Sequence, residues 1–233
     1  MKNFLITLAI ALLTSSNSFS QDKGYIGISL GPSIPIGEYA SRDASNKSAG
    51  WATTGAIFDI SFAYKLGQNF GVTGLLRGQA NGIDNDAYAS ELSNQAGGNW
   101  TVDSKAWSIG GFMFGAYGSF PISDKVSFDT RAMIGFLSAT SPELNVTLNG
   151  SGGLAWFKQS SASATSFSYL IGGGFKFDVG NKICLLANLD YLGAKPEFRY
   201  VEVTSSAGGA PQKSTFSQGF GSINFGFGIG LRL

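Results

Sequence analysis

The last eleven residues of the chain alternate strictly between large apolar side chains and small or polar ones. The odd positions are Ile223, Phe225, Phe227, Ile229, Leu231 and Leu233, and the even positions between them are Asn224, Gly226, Gly228, Gly230 and Arg232. A period of two is the period of a β-strand, because successive side chains point to opposite faces. A strand of this length, with one apolar face and one face of Gly, Asn and Arg, is typical of a transmembrane β-barrel.

The same alternation recurs in seven earlier segments, so the chain supplies eight candidate strands. The seven cover residues 25–30, 56–66, 70–78, 107–120, 126–136, 167–177 and 183–191. Three short turns alternate with four long polar stretches, which are residues 35–50, 81–105, 139–165 and 193–215. Tight turns at one end and long loops at the other are the asymmetry of an outer-membrane barrel. The sequence therefore predicts an all-β fold, an eight-stranded antiparallel up-and-down transmembrane β-barrel.

The fourth predicted strand has apolar residues on both faces, and its phase stays open. One phase would place Ile109, Met113 and Tyr117 on the lipid side, and the other would place Phe112, Phe114 and Phe120 there.

Charged residues fall on one face of the phased strands, opposite the large apolar side chains. The nine are Asp59, Lys65, Arg77, Asp129, Arg131, Lys176, Asp178, Asp190 and Arg232. An Arg or Lys facing lipid near the midplane costs about 2–4 kcal/mol, so a membrane barrel directs such residues to its lumen. A soluble barrel would direct the same nine residues outward, so the alternation alone does not distinguish a membrane barrel from a soluble one. Four acids, five bases and many small neighbours favour a confined interior.

The short turn between the second and third strands sets a register for these charges. If Leu66 faces Phe70, Asp59 lies opposite Arg77, and we predict an ion pair between them. We expect Arg131 and Asp190 at the same level, and the other five charges in a tier nearer the short turns. Side chains fill the interior of an eight-stranded barrel. The nine charges are therefore predicted to form a structural plug, and a gate or proton relay is the alternative.

The N-terminus has the features of an export signal. Lys2 precedes an apolar core at residues 4–13, and Ser18-Phe19-Ser20 forms a small-x-small cleavage site before Gln21. We expect residues 1–20 to be a signal peptide and residues 21–233 to be the barrel domain. The apolar core is too short to span a bilayer as a helix, and no later stretch offers about 18 uninterrupted apolar residues.

Composition narrows the possible functions. Charged residues make up 13% of the chain, about half of the roughly 25% in soluble domains, and Gly is abundant at 33 of 233 residues. Without Lys2 the 16 basic residues become 15, equal to the 15 acidic ones, so we expect no nucleic-acid partner. Histidine is absent, which excludes Ser-His-Asp hydrolysis and His-based zinc sites. We therefore predict a non-enzymatic protein with no cofactor and no metal.

Other features have structural interpretations. The single cysteine, Cys184, forms no intramolecular disulfide and is expected to be buried. The Gly172-Gly173-Gly174 run lacks the residues of a phosphate loop and is better explained by curvature or close packing. Five aromatic residues are predicted to form a girdle at the headgroup level, with a ligand platform as the alternative; they are Trp51, Trp100, Trp107, Trp156 and Phe157.

The signal that ends in Ser-Phe-Ser, the Gly- and Phe-rich strands and the terminal Phe225-Gly-Phe-Gly-Ile-Gly-Leu-Arg-Leu233 run resemble one known group. This is the group of small outer-membrane β-barrel proteins of Gram-negative bacteria, the OmpA/OmpX/OmpW-like proteins, and the resemblance covers residues 21–233. It implies a location in the cell outer membrane, contact with outer-membrane lipid, insertion by the barrel-assembly machinery and an extracellular partner for the loops. The enzyme branches of this group generally use an active-site histidine.

The sequence leaves three candidate functions. The leading one is a non-enzymatic barrel with a structural or surface-interaction role. The alternative is a narrow channel for small hydrophobic solutes with a lateral exit, for which the two-faced fourth strand is the hint. The third is a soluble periplasmic binder of the lipocalin type, which would be recovered in the soluble fraction.

Overall fold

A computed structural model describes residues 23–46, 48–150 and 155–233, so the predicted signal peptide at 1–20 lies outside the described residues. Within them the chain forms thirteen strands, a single turn of 3-10 helix at Gly37–Ala40 and the helix α1 at Asn85–Ala96. The strands are β1 (Gly24–Ile36), β2 (Gly55–Lys65), β3 (Phe70–Asn81), β4 (Asn99–Ser104), β5 (Trp107–Ser123), β6 (Val126–Thr140), β7 (Leu144–Asn149), β8 (Ala155–Gln159), β9 (Ser163–Val179), β10 (Ile183–Ala194), β11 (Glu197–Ser205), β12 (Gln212–Ser217) and β13 (Phe220–Arg232).

Eight of these strands close into an antiparallel barrel, in the order β1-β13-β10-β9-β6-β5-β3-β2. They are the eight segments that alternate in the sequence, so the predicted fold class is confirmed. β1 and β13 close the barrel, with Tyr25 opposite Arg232 and Ile36 opposite Gly221. The ends joined by short turns are called the turn end below, and the opposite ends are called the loop end.

The barrel wall is apolar outside and mixed inside. On β13 the odd residues Phe227, Ile229 and Leu231 are exposed on the outer face. β5 takes the phase in which Phe112 and Phe114 point outward, while Met113 is buried in the lumen. There Met113 joins an apolar layer with Leu75, Met133 and Leu170, all of them buried. Both faces of β5 therefore carry apolar residues, but for different reasons: the outer face contacts lipid and the inner face packs in the core.

A second sheet lies in the segments that the sequence indicated only as polar loops. Its five antiparallel strands run in the order β12-β11-β8-β7-β4. Short alternations encode it, as in β7, where Leu144 and Val146 are buried between polar neighbours. Strands of five to nine residues without a long apolar face give weak periodic signals, so their sequences resemble those of polar loops.

The helix α1 also lies in a predicted loop. Asp84 caps its N-terminus by accepting a hydrogen bond from the Ala87 amide at 3.1 Å. The ring of Trp51 stacks on Tyr88 with centroids 4.7 Å apart, which anchors the helix beside the barrel mouth. In the part of the chain that is described, no helix is long and apolar enough to cross a bilayer.

Candidate functional site

Four charged side chains meet near the middle of the lumen, and we call Asp59, Arg77, Arg131 and Asp190 the central cluster. Arg77 donates from Nε to Asp59 Oδ1 at 2.8 Å and from Nη2 to Asp59 Oδ2 at 2.6 Å. Its Nη2 also lies 2.9 Å from Asp190 Oδ2. Arg131 holds the same carboxylate from the other side, with Nε 2.8 Å from Oδ1 and Nη2 2.7 Å from Oδ2.

Strand register explains how the central cluster assembles. Asp59 lies directly opposite Arg77 in the β2–β3 hairpin, the register that follows from pairing Leu66 with Phe70. Arg131 and Asp190 sit on strands that are not neighbours, but both are opposite Gly172 of β9. Because Gly172 has no side chain, the two charged groups reach each other across it. A Cβ at this position would collide with Asp190 Oδ1.

The central cluster is electrically balanced and buried. Two guanidinium groups face two carboxylates, and each of the four side chains is at most 7% exposed. Charges removed from water stay ionised at acceptable cost only when opposite charges and hydrogen bonds satisfy them. Asp190 accepts three hydrogen bonds, and it is the only described residue that bonds both arginines.

The other five charges, Lys65, Asp129, Lys176, Asp178 and Arg232, lie closer to the turn end and form the turn-end group. Asp178 is its centre, with Lys176 Nζ 3.1 Å from Oδ1 and Arg232 Nη2 3.5 Å from Oδ2. Arg232 also donates from Nη1 to the Gly180 carbonyl at 2.7 Å.

Two members of the turn-end group do not form the ion pairs expected of a tier of charges. Asp129 is bonded by three hydroxyl groups, those of Tyr117 at 2.6 Å, Ser119 at 2.7 Å and Ser127 at 3.0 Å. Ser119 and Gly174 are its neighbours across the two flanking strands, so hydroxyls are the groups within reach. Lys65 is half-buried and makes no ion pair within 4 Å among the residues described.

An aromatic cap of Tyr39, Trp107, Phe198 and Phe220 closes the loop end of the lumen. The ring of Tyr39 packs edge-on against Phe220 at 4.6 Å and against Trp107 at 6.0 Å. Trp107 donates from Nε1 to the Gly50 carbonyl at 2.9 Å, and the Tyr39 hydroxyl donates to Asn81 Oδ1 at 3.2 Å. Burial raises the pKa of Tyr39 above its ordinary value.

The cap corrects the predicted aromatic girdle. Trp51 and Trp107 are buried, at 6% and 4% exposure, so they face protein and cannot face headgroups. Trp100, Trp156 and Phe157 belong to β4 and β8 of the second sheet, away from the barrel wall. Sequence reasoning also missed Tyr39, Phe198 and Phe220. For Phe220 the sequence does contain a signal, because Phe220 lies four residues from Asn224 on β13 and therefore on the same inward face.

The interior therefore contains a charge-balanced central cluster, an apolar layer and an aromatic cap. Cys184 is buried, as expected, and packs near Tyr25 and Leu186. No group of three or more Cys, Asp or Glu residues in the described ranges could hold a metal ion. A closed antiparallel wall that is apolar outside and ion-paired inside defines a transmembrane β-barrel of the outer-membrane type.

Solved structures of outer-membrane proteins are similar to this chain, and one of them shares its fold with a TM-score above 0.5. A major outer membrane protein from Thermus thermophilus aligns with a TM-score of 0.51 at 10% identity, covering 90% of this chain and 99% of that one. Ail, the attachment invasion locus protein of Yersinia pestis, aligns with a TM-score of 0.47 at 14% identity, with 91% and 99% covered. OprG from Pseudomonas aeruginosa aligns at 0.46 and 10% identity, with 91% and 97% covered. No family model and no curated protein matches the sequence.

Proposed function

We propose that this chain is a non-enzymatic protein of the cell outer membrane with a structural or surface-interaction role, and that paired charges plug its lumen. The observation that carries the proposal is the central cluster, which links β2, β3, β6 and β10 across the barrel through hydrogen bonds of 2.6–2.9 Å. Fork-like Arg–carboxylate contacts of this kind fix side chains in place.

The surroundings of the central cluster support a plug over a gate or proton relay. A gate needs a group that can move, but Leu75, Met113 and Leu170 pack the lumen beside the cluster at 1% exposure or less. The aromatic cap covers the loop end. Nearer the turn end, three hydroxyl groups bind Asp129. That part of the lumen therefore has polar contacts but no continuous chain of ion pairs. The apolar residues on both faces of β5 also give less support to a hydrophobic channel, because those on the inner face pack into a core.

A plugged lumen is expected to be electrically silent. In planar-bilayer recordings, the purified wild-type barrel should give no resolved openings, while a general porin in the same bilayer should conduct. A variant with Asp59, Arg77, Arg131 and Asp190 all replaced by serine removes the central cluster and keeps the wall. Its recordings test whether the aromatic cap alone seals the mouth. Reproducible openings of the wild-type barrel would contradict the plug and favour the channel.

The second sheet supports a surface-interaction role, because it holds polar loop segments in ordered strands beyond the barrel. Tyr200 is 74% exposed and adopts a left-handed backbone conformation, with φ at 59°, inside the register shift between Phe198 and Val201. Such a conformation costs of order 1–3 kcal/mol in a residue other than glycine and is often found at binding sites. Tyr200 is therefore the strongest candidate on this sheet for contact with an extracellular partner.

Trypsin added to intact cells is expected to cut only the loop end. Lys158, Arg199 and Lys213 are exposed on β8, β11 and β12, whereas Lys125 and Lys182 lie in short turns that would face the periplasm. Cleavage should therefore appear at the first three sites on intact cells, and at the turn sites only after the outer membrane is opened. The matched control is the same digestion of purified barrel in detergent. Recovery of uncut protein in the soluble fraction would favour the lipocalin-type alternative.

A further inference from the structure

The described charges are distributed unevenly along the barrel axis, although their total is close to zero. The bases at the turn end are Lys23, Lys65, Lys125, Lys176, Lys182 and Arg232. These six exceed the three acids of that end, which are Asp124, Asp129 and Asp178. The described residues of the loop-end segments 37–54, 82–105, 141–162 and 195–219 contain six bases and nine acids. Because the central cluster is balanced, the barrel is positive at the turn end and negative at the loop end.

Three of the turn-end bases are exposed, and we call Lys23, Lys125 and Lys182 the basic rim. None of them forms an ion pair within 4 Å among the residues described. Each of their carbonyl oxygens accepts a hydrogen bond, at 2.6–2.9 Å, from the amide of a residue in the turn-end group. Asp124, next to Lys125, is the only exposed acid of the described turn end. The basic rim is therefore held in place by backbone contacts and keeps a surplus of positive charge.

The basic rim lies at the border of the apolar outer wall. An exposed isoleucine is found within three residues of each of its lysines; the three isoleucines are Ile26, Ile122 and Ile183, which are 48%, 62% and 39% exposed. A lysine at such a border can lay its alkyl stem on apolar surface while its ammonium group stays among polar groups. The basic rim thus combines a cation with an adjacent apolar surface at three separate places.

These places are spread around the barrel. Lys125 is in the turn between β5 and β6, Lys182 is in the turn between β9 and β10, and Lys23 precedes β1. In the order of the barrel strands, Lys182 lies two to three strands from each of the other two lysines. At ~4.8 Å per strand the separations are about 10 Å or more, so each lysine can contact a different lipid headgroup.

We propose that the basic rim binds anionic phospholipids. The lysine ammonium groups donate to the headgroup phosphates, and the acyl chains lie against the exposed isoleucines. A phosphoglycerol headgroup carries a net negative charge, whereas the cation of phosphocholine or phosphoethanolamine offsets the phosphate and repels lysine. The inference rests on the proposed function, because the turn end meets a phospholipid leaflet only if the barrel spans the outer membrane with its short turns in the periplasm.

Native mass spectrometry of the detergent-purified barrel, with one phospholipid added at a time, tests this inference. The probes are the dimyristoyl forms of phosphatidylglycerol, phosphatidylethanolamine and phosphatidylcholine. We expect phosphatidylglycerol to bind about fivefold better than either of the others, the factor that one lysine near an anionic lipid surface supplies. The preference should decrease as the concentration of ammonium acetate is raised, because salt screens exposed charges. Excess soluble glycerol phosphate should not displace the lipid, because it lacks the acyl chains.

Two matched triple variants separate the basic rim from general effects of charge. Replacing all three of its lysines with glutamine should reduce the preference for phosphatidylglycerol to about one. The control makes the same three changes at exposed lysines of the loop end, as Lys158→Gln, Lys195→Gln and Lys213→Gln. The control should keep the fivefold preference, and both variants should keep the heat-modifiable migration of a folded barrel.

The outcomes distinguish this inference from the proposed function. Equal binding of the three lipids by a heat-modifiable wild-type barrel would overturn the lipid site and leave the proposed function standing. An equal loss of preference in the two triple variants, or displacement of the lipid by glycerol phosphate, would also overturn the site. If the wild-type chain forms no heat-modifiable barrel and does not insert into bilayers, the proposed function fails and the lipid site fails with it.

Discussion

Replacing Asp190 with asparagine is expected to destabilise the folded barrel by about 3–5 kcal/mol, because it leaves two buried guanidinium groups with one carboxylate between them. Arg131 would lose both of its ionic hydrogen bonds, at 2.7 and 2.8 Å, and Arg77 would keep only Asp59. The new amide nitrogen would also place N–H donors beside a cation. Equilibrium unfolding in urea, followed by heat-modified migration of the barrel in detergent, measures the change.

Asp178→Asn is the matched control for this variant, since it makes the same chemical change on the turn-end group. The Asp178 side chain is 17% exposed and its contacts are longer, so its loss should cost about 1 kcal/mol or less. The double variant Asp190→Asn, Arg131→Gln restores charge balance around Arg77 and should recover part of the lost stability. Asp190→Asn as stable as wild type, or a double variant no better than the single one, would contradict the structural role of the central cluster.

The wall of the barrel could be predicted from sequence because its cause is local. Each strand has one face against an apolar medium and one against the lumen, so the residues of every strand alternate between apolar and small or polar side chains. The three short turns then fix the registers, and Asp59 opposite Arg77 follows from Leu66 opposite Phe70. The full length of β1 is harder to predict, because Pro32 and Pro35 lie inside a strand that continues to Ile36.

The contents of the lumen depend on contacts between distant segments, which alternation does not encode. Parity places Arg131 and Asp190 on the inner face, but their contact requires the empty position at Gly172 on the strand between them. Parity also places Asp129 inside without indicating that hydroxyl groups would surround it. The aromatic cap is assembled from the start of β5, the 3-10 turn, β11 and β13. For Tyr39 no periodic signal exists, because a single turn of helix has no repeat.

An arginine at position 60 is expected to destabilise the barrel by about 2–4 kcal/mol, the cost of an Arg that faces lipid near the midplane. Ile60 lies midway along β2, and its neighbours on the flanking strands are Ile28 and Leu76, both exposed on the outer wall. In a soluble barrel the same Ile60→Arg change would put a charge in water and alter stability by only about 0.5 kcal/mol. Urea unfolding from lipid vesicles measures the difference, with Leu66→Arg at the strand end as the control.

The dependence on depth is what identifies a bilayer as the medium around the wall. Leu66 lies beside the short turn, where an arginine reaches headgroups and water, so Leu66→Arg should cost only about 0–1 kcal/mol. Phe62→Arg, between the two positions, should fall between them. A partner protein covering the wall would give costs that follow local packing and not a smooth gradient along β2. Equal and small costs at residues 60, 62 and 66 would place the outer wall in water, and the membrane assignment would then be wrong.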